Sequence, residues 1–378
     1  MRILVVTQHY RPYRGGAAVM LRNLATCWSR DGHTVEILTT RSRDTFPAED
    51  VVDGIRVHRL PRPRVHIAGM LKLMSSVRGE IRRRARDFDV VVASILQHMT
   101  AAAVDGARSA SLPVVARTEG AGRTGDVGWA EQRSLRRRVL ARCLEATRVL
   151  AVSPEIAREL EAAGYPESRI DLVPNGVPVP GQPWSYAGRA EHRSALKLGD
   201  TPVICFTGRL LKAKGLPELL GAMRRLRESG RRCQLLLVGE GADQAILEQR
   251  ARELGVEGDV RFVGWTEDPT PYLRASDVYV LPSHVEGRST ALLEALALGM
   301  PALASDIEAN RGLVPTDLLP LAPVGNEEAL ARMLGERIAA APAWDGAGAR
   351  CRELVLQVHS VETAARGHVE AFRRAGAA

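Results

Sequence analysis

Two glutamates stand eight residues apart in the segment of the chain best equipped for chemistry, EGRSTALLEALALGMP at 286–301. Glu286 comes just before a predicted helix, and Glu294 falls in the second turn of that helix. Carboxylates repel a phosphate, so these side chains are better suited to accept hydrogen bonds from hydroxyl groups, such as those of a sugar or a ribose. The structural alternative is that Glu286 is solvated and Glu294 satisfies a backbone group.

The start of the same helix is suited to bind an anion. Ser289 or Thr290 can cap it, and Gly299 is placed to end it. The first turn then leaves the backbone N–H groups of four residues free, namely Gly287, Arg288, Ser289 and Thr290. Because the N-terminus of a helix carries a partial positive charge, we expect these groups to contact a phosphate.

Two more segments could contribute to a phosphate site. GRLLKAKG at 208–215 places Arg209 and Lys214 after a predicted strand, where they could neutralise a diphosphate. Near the N-terminus, Gly15 and Gly16 open a helix, and glycine there allows a ligand to approach the backbone closely. The alternatives are a basic surface loop and a plain strand-to-helix turn.

These groups need a scaffold, and the chain offers two series of apolar strands alternating with helical segments. Such strands are typical of parallel sheets buried on both faces, and two series predict two doubly wound α/β domains. We predict seven strands in the first half, at 2–7, 34–40, 55–60, 89–94, 113–118, 148–153 and 170–173. We predict five in the second half, at 203–208, 234–239, 260–264, 277–282 and 301–305.

The Pro- and Gly-rich stretch 174–188 is the predicted linker, which gives domains at 1–180 and 181–356 and a C-terminal segment at 357–378. Ligands of open parallel sheets bind beyond the carboxyl ends of the strands. Polar or glycine-rich turns follow four strands of the second series, so a site is expected along that edge.

Composition excludes several classes of protein. With 378 residues, 45% hydrophobic and 25% charged, the chain has the balance of a soluble globular protein rather than a disordered chain, a coiled coil or one small module. No apolar run approaches the ~20 residues of a membrane helix. Five scattered cysteines predict neither a disulfide framework nor a zinc site, and they favour a reducing, cytoplasmic setting.

Charge is unevenly distributed. Residues 1–180 carry 28 Lys and Arg against 19 Asp and Glu, a net charge of +9, whereas residues 181–378 carry 24 against 25, a net charge of −1, which gives +8 for the whole chain. The basic residues cluster at 61–66, 82–86 and 133–142. A one-sided basic field predicts an anionic partner, such as a membrane surface or a phosphorylated acceptor, and the alternative is solvated helix faces. Few aromatic residues (4%) and no zinc-finger or RNA-binding motif predict no nucleic-acid partner.

Taken together, the segments resemble the retaining glycosyltransferases of family 4. The matching pieces include YRPYRGG before a helix, VPNGV, GRLLKAKG, LLLVGEG, YLRASDVYVLPS and EGRSTALLEALALGMPALAS. The two glutamates match the E-x7-E pattern of that family. The resemblance covers most of the chain and is densest over 173–305. It implies the GT-B fold, in which two Rossmann-like domains face each other across a cleft and a C-terminal helix crosses back to the first domain.

The resemblance also implies roles for individual residues. Arg209 and Lys214 would bind the diphosphate, Glu286 the donor-sugar hydroxyls, and Glu294 the ribose. Gly15 and Gly16 would meet the donor phosphates and the acceptor, and the residues flanking the base are Gly239, Val263 and Trp265. Such enzymes usually work without a metal, so we expect no cofactor, and the mechanism retains the anomeric configuration.

One departure from the family concerns a histidine that many members place after the strand corresponding to 113–118. Glu119 stands there in this chain and is expected to take over a contact with the donor sugar. His9 and His98 are further candidates for handling the acceptor, and both rank below Glu119 because a lone histidine is more often structural.

Other functions are weaker matches. GAGRTG at 120–125 has the glycine spacing of a dinucleotide loop, but it follows a strand in the middle of its domain. Asp126 stands where a Walker loop needs Lys. Asp87 and Asp89 form a D-x-D motif at the wrong end of a strand. A non-catalytic nucleotide-sugar-binding protein, a GT-B phosphorylase and an epimerase remain as alternatives.

The expected reaction is therefore hexosyl transfer from a nucleotide-diphosphate sugar, with UDP as the first expectation and GDP as the second. The expected acceptor is a glycan, a lipid-linked molecule or a small molecule, in polysaccharide or glycoconjugate assembly. The amphipathic candidate at 70–87 predicts peripheral attachment to the inner face of a membrane.

Overall fold

The computed structural model describes residues 1–12, 15–41, 45–61, 67–122 and 125–377. The chain forms two compact units, and the first is discontinuous: it contains residues 1–178 and 359–378, whereas the second contains 179–358. The boundaries expected from the sequence, after 180 and after 356, each lie two residues from these divisions.

The first unit is built on an eight-stranded sheet of order β3-β4-β2-β1-β5-β6-β7-β8. Its strands are β1 (Arg2–Val6), β2 (Thr34–Thr40), β3 (Glu49–Val52), β4 (Ile55–Leu60), β5 (Val90–Ser94), β6 (Val114–Arg117), β7 (Arg148–Ala151) and β8 (Ile170–Leu172). All neighbouring pairs are parallel except β3 with β4. The sequence pattern did not predict β3, because this edge strand, EDVV, is polar and buries no continuous apolar run.

Helices cover both faces of this sheet and bury two hydrophobic cores. They are α1 (Gly16–Arg30), α2 (Ile67–Arg83), α3 (His98–Arg108), α4 (Asp126–Glu131), α5 (Ser134–Cys143) and α6 (Pro154–Ala162). Coverage on both faces explains why the apolar run of β5, VVVAS, is buried at every position.

The second unit has a six-stranded sheet of order β11-β10-β9-β12-β13-β14, and every neighbouring pair is parallel. Its strands are β9 (Val203–Thr207), β10 (Gln234–Val238), β11 (Val260–Gly264), β12 (Val278–Leu281), β13 (Ala302–Ser305) and β14 (Leu321–Ala322). Its helices are α7 (Arg189–Leu196), α8 (Leu216–Glu228), α9 (Gln244–Glu253), α10 (Thr270–Ala275), α11 (Thr290–Leu298), α12 (Glu327–Ala340) and α13 (Asp345–His359). The chain order reverses between β9 and β12, which is where such sheets bind ligands.

The last helix, α14 (Val361–Arg374), completes the first unit rather than the second. Trp28 of α1 packs its ring against Phe372 at a centroid distance of 5.5 Å and against His368 at 5.6 Å. The Trp28 indole N–H also donates to the carbonyl oxygen of Ala365 at 3.3 Å. Within the C-terminal segment expected at 357–378, this helix begins only at Val361. Ser360 separates α14 from α13 and caps α14 by accepting the N–H of Thr363.

Candidate active site

The loops after β9 and β12 flank the point where the strand order of the second sheet reverses. The first carries Arg209 and Lys214, and the second carries Glu286. The loops after β10 and β11 lie at the same side of the sheet, because all of these strands are parallel. The structure thus places the predicted site residues of the second unit along one edge of its sheet.

An ion pair joins the two central loops. Lys214 Nζ lies 2.6 Å from Glu286 Oε1, and the Ser283 hydroxyl donates to that same oxygen at 2.8 Å. The side chains of Lys214 and Glu286 are only 18% and 12% exposed. Glu286 is therefore held in one orientation as a hydrogen-bond acceptor, with a cation beside it. The sequence indicated both residues as ligands, but it did not predict that they pair.

Backbone contacts lock these loops against each other. Gly215 has φ +66°, and a Cβ atom there would collide with the carbonyl oxygen of Pro282, so glycine is required. The N–H of His284 donates to the carbonyl of Ala213 at 3.0 Å. His284 also lies 3.1 Å from a carboxylate oxygen of Glu218. The loops after β9 and β12 are consequently held in fixed positions relative to each other.

Arg209 differs from Lys214 because its side chain is exposed. The Arg209 side chain makes no hydrogen bond or ion pair with any other residue that the structure describes. A cation without a protein partner, directly after β9, is available to an anionic ligand.

Helix α11 begins at Thr290, as the sequence predicted. The Ser289 hydroxyl accepts the N–H of Leu292 at 3.3 Å, and Gly299 ends the helix with φ +78°. The Arg288 side chain is half-buried, and its Nη1 donates to the carbonyl of Ala309 at 3.0 Å. Burial lowers the pKa of Arg288. The backbone around Gly287–Thr290 therefore remains the part of this turn best suited to an anion.

Glu294 lies one turn into α11 and is largely enclosed. Burial raises its pKa to about 7, and the negative charge of Asp268 adds to the rise. A carboxyl group in this state gains from a ligand that donates hydrogen bonds to it, as a ribose hydroxyl would.

The edge formed by β10 and β11 is more open. Gly239 has φ +145°, and a Cβ atom there would collide with the carbonyl of Gly208. Its N–H donates to the carbonyl of Gly264 at 2.8 Å. Beside it, Val263 is half-buried and the side chain of Trp265 is 40% exposed. The loops after β10 and β11 thus carry a glycine and two apolar side chains that are partly open to solvent.

The first unit also places its candidates at one edge. His9 follows β1, His98 begins α3 after β5, and Glu119 follows β6, and these three strands are neighbours in the sheet. Burial lowers the pKa of both histidines. Gly16 begins α1, and Gly15 precedes it in an extended conformation.

Glu119 lies in a polar network that the sequence did not reveal. Its Oε1 accepts hydrogen bonds from the Ser94 hydroxyl at 2.9 Å and from the guanidinium of Arg117. Arg117 is fully buried and also donates to the side-chain oxygen of Asn175. Burial raises the pKa of Glu119, and the positive charge of Arg117 opposes the rise. Arg117 ends a strand of otherwise apolar residues. This charged residue at the end of an apolar run was the signal in the sequence that could have indicated the network.

Some of the excess arginines of the first unit form ion pairs within the fold. Arg84 is buried in an ion pair with Glu36 at 2.6 Å, and Arg78 pairs with Asp105 at 2.8 Å. Residues 62–66 of the first predicted cluster lie outside the described residues, as do Tyr13, Arg14, Arg123 and Thr124. Asp89, part of the D-x-D motif, binds Arg2 at the amino end of the sheet.

The described residues form no helix that is long and apolar enough to span a bilayer. They contain no group of three or more His, Cys, Asp or Glu side chains that could hold a metal ion.

Comparison with known proteins covers both units. Residues 14–179 match the family described as Glycosyltransferase Family 4, and residues 188–335 match the family described as Glycosyl transferases group 1. An uncharacterised glycosyltransferase of Methanocaldococcus jannaschii is 26% identical over 333 residues, or 81% of each chain. A GDP-mannose-dependent alpha-(1-6)-phosphatidylinositol monomannoside mannosyltransferase of Mycobacterium tuberculosis is 26% identical over 324 residues, covering 81% of this chain and 80% of the relative.

Solved structures share the fold over nearly the full length. Sucrose-phosphate synthase from Thermosynechococcus elongatus superimposes with a TM-score of 0.83 at 23% identity, over 99% of this chain and 98% of that one. Anabaena HepE in complex with UDP and glucose gives 0.81 at 20% identity, over 98% and 99%. Two Rossmann-like α/β units of this kind form the GT-B fold, as the sequence predicted.

Proposed function

The chain belongs to the GT-B glycosyltransferases of the family 4 type, and from that premise we propose that it moves a hexose-type sugar from a nucleoside-diphosphate sugar to an acceptor hydroxyl with retention of configuration. The glycosidic bond from the sugar C1 to the diphosphate breaks as the acceptor oxygen bonds to C1. The acceptor proton passes to the departing phosphate. The acceptor is a glycan, a lipid-linked molecule or a small molecule, in polysaccharide or glycoconjugate assembly.

The observation that carries this proposal is the Lys214–Glu286 pair beside the exposed Arg209, at the reversal point of the second sheet. Negative charge grows on the diphosphate as its bond to the sugar breaks. Arg209, Lys214 and the N-terminus of α11 supply positive charge in fixed positions, which stabilises that state. Glu286, held by Lys214 and Ser283, accepts hydrogen bonds from the sugar hydroxyls.

The remaining donor contacts follow from the same edge. Glu294 binds the ribose hydroxyls, and the base lies against Gly239, Val263 and Trp265. UDP is the first choice of nucleotide, supported by structural neighbours that bind UDP and UDP-glucose. GDP is the second choice, supported by the mannosyltransferase relative.

In the first unit, we assign Glu119 to the transferred sugar, in place of the histidine that many family members have. Gly15 and Gly16 provide close backbone approach, and His9 and His98 serve the acceptor. Catalysis needs no metal in this scheme, because the three cationic groups of the second unit perform the charge stabilisation. The basic surface of the first unit, with the exposed apolar side chains Ile67 and Leu71 of α2, attaches the protein peripherally to an anionic membrane surface.

A thermal-shift panel of UDP, GDP and ADP, each with magnesium and with EDTA, tests the donor assignment. A ligand at 100 times its dissociation constant stabilises by about 2.7 kcal/mol, which is readily detected. The nucleotide that shifts the melting temperature then defines the donor sugars to screen for transfer. The anomeric coupling constant of the product, measured by proton NMR, tests retention. An inverted product would refute the proposed stereochemistry.

Glu286→Gln tests the site itself. We expect turnover to fall at least about 100-fold with an unchanged melting temperature, because the variant loses the fixed carboxylate that meets the sugar. Glu257→Gln is the matched control, since Glu257 is exposed and precedes β11 at the opposite edge of the sheet. Near-normal turnover in Glu286→Gln would overturn the site assignment.

A further inference from the structure

Asp126, the first residue of α4, is a buried carboxylate with three backbone partners. Only 3% of the residue is exposed. Its Oδ1 accepts the N–H of Leu96 at 2.7 Å, and its Oδ2 accepts the N–H groups of Glu119 at 2.7 Å and Gly120 at 3.0 Å. Leu96 belongs to the loop after β5, whereas Glu119 and Gly120 belong to the loop after β6. One side chain therefore ties two neighbouring loops together at the carboxyl edge of the sheet.

The local backbone is shaped to bring this carboxylate into place. The chain folds back at Gly125, where a Cβ atom would collide with the carbonyl of Gly120. In the loop after β5, Ile95 adopts φ +69°, a conformation that β-branched residues rarely adopt. Strain of this kind persists only where the surroundings hold it, and Asp126 binds the next residue, Leu96.

A carboxylate suits this position better than any other side chain of similar size, because all three partners are donors. Asparagine could offer only one acceptor oxygen, and its NH₂ group would face at least one backbone N–H. Burying donors against each other in this way is costly. The position therefore requires two acceptor oxygens; burial raises the pKa of Asp126, and the three backbone hydrogen bonds oppose that rise.

We infer that Asp126 is a positioning residue that fixes the Glu119 carboxylate for its contact with the transferred sugar. Asp126 holds the backbone of Glu119, while Ser94 and Arg117 hold its side chain at Oε1. Among the described residues, no hydrogen bond ends on Oε2, and the Glu119 side chain is 16% exposed. This oxygen is the one that meets a sugar hydroxyl. The inference rests on the role proposed above for Glu119.

A double-mutant cycle tests the inference. The release of nucleoside diphosphate from the donor sugar selected by the transfer screen is compared in wild type, Asp126→Asn, Glu119→Gln and the double variant. We expect kcat to fall about 10- to 100-fold in each single variant, since small misplacements of a contact group cost rates of this order. We expect the double variant to be no slower than Glu119→Gln, because Asp126 acts through Glu119.

The matched control is Asp105→Asn. Asp105 is a half-buried carboxylate on α3 that pairs with Arg78 and Arg142, and it binds neither loop. We expect this variant to keep wild-type kcat. Should Asp126→Asn fail to melt cooperatively, Asp126→Ser replaces it, because a small hydroxyl still accepts one N–H and suits the first turn of a helix.

The pH profile of kcat provides a readout that a merely structural role would not change. The charged groups that act on Glu119 are Arg117, which lowers its pKa, and Asp126, which raises it. Removing the charge of Asp126 lowers the pKa of Glu119, so the acid limb of the profile should move to lower pH. A variant that only loosens the fold would lose rate equally at every pH.

The outcomes separate the two claims. If Glu119→Gln turns over like wild type, the proposed role of Glu119 fails. If Glu119→Gln is slow but Asp126→Asn is normal, the positioning role of Asp126 fails. Losses that multiply in the double variant would also overturn the inference, because they would show that the two residues act independently.

Discussion

Removing the charge of Glu294 should stabilise the ligand-free protein, and only at neutral and alkaline pH. The folded environment raises the pKa of this group from 4.5 to about 7. Between these pH values the folded protein holds a proton that the unfolded chain releases, so the free energy of unfolding falls as pH rises. This loss is the penalty for keeping Glu294 in the folded protein. It is absent below pH 4.5 and complete above pH 7. At about 1.4 kcal/mol for each pKa unit, the full penalty is at most about 3.5 kcal/mol.

Calorimetry of wild type and Glu294→Gln at pH 5 and pH 8 measures this effect. A change of 1 kcal/mol moves the melting temperature of a domain of this size by roughly 2–4 °C. We therefore expect the variant to melt up to about 14 °C above wild type at pH 8 and close to it at pH 5. The same variant should bind UDP about tenfold more weakly, since a hydrogen bond to a charged group is lost. An equal difference in melting temperature at both pH values would refute the reasoning.

Two further predictions concern the charged surfaces. Arg209→Gln should leave the melting temperature unchanged, because the side chain has no described protein partner, and should weaken UDP binding about 10- to 100-fold by calorimetry. The control Arg232→Gln, an exposed change at the opposite edge of the sheet, should leave UDP binding unchanged. Equal losses of affinity in both variants would contradict a specific phosphate contact. The wild type should co-sediment with phosphatidylglycerol vesicles in low salt but not with phosphatidylcholine vesicles, and Leu71→Ser should reduce the bound fraction where Ile246→Ser does not. Absence of binding at every salt concentration would remove the membrane part of the proposal.

The repeating core of the fold was predictable because its signal is local. Each of the twelve apolar runs marked in the sequence contains a strand, and α11 starts and stops where Ser289 and Gly299 predicted. The two strands that were not predicted, β3 and β14, lie at sheet edges and are short. An edge strand is buried on fewer sides, so it does not need the continuous apolar run on which the prediction relied.

The site was predictable in its parts but not in its contacts. The E-x7-E spacing and the strand-end rule located Glu286, Arg209 and Lys214. Nothing in the spacing shows that Lys214 reaches Glu286, because the two residues are 72 positions apart and meet only when β9 pairs with β12.

The network around Glu119 was missed for the same reason. Ser94 lies 25 positions from Glu119, and Asn175 lies 58 positions from Arg117, so these contacts form only when the strands of the sheet assemble in their order. A buried charge is visible in a sequence only as a polar residue in an unexpected place, and Asp126 was instead weighed as a failed Walker loop.

The discontinuity of the first unit has a consequence for synthesis. Residues 1–178 leave the ribosome well before α14, so Trp28 has neither Phe372 nor His368 to cover it during that time. The second unit, continuous over 179–358, has its full set of strands available earlier. The unit that contains residues 1–178 is thus completed after the second unit, because it also needs residues from 359 onward. A nonsense mutation within α14 would therefore damage the first unit and leave the strands of the second unit in place.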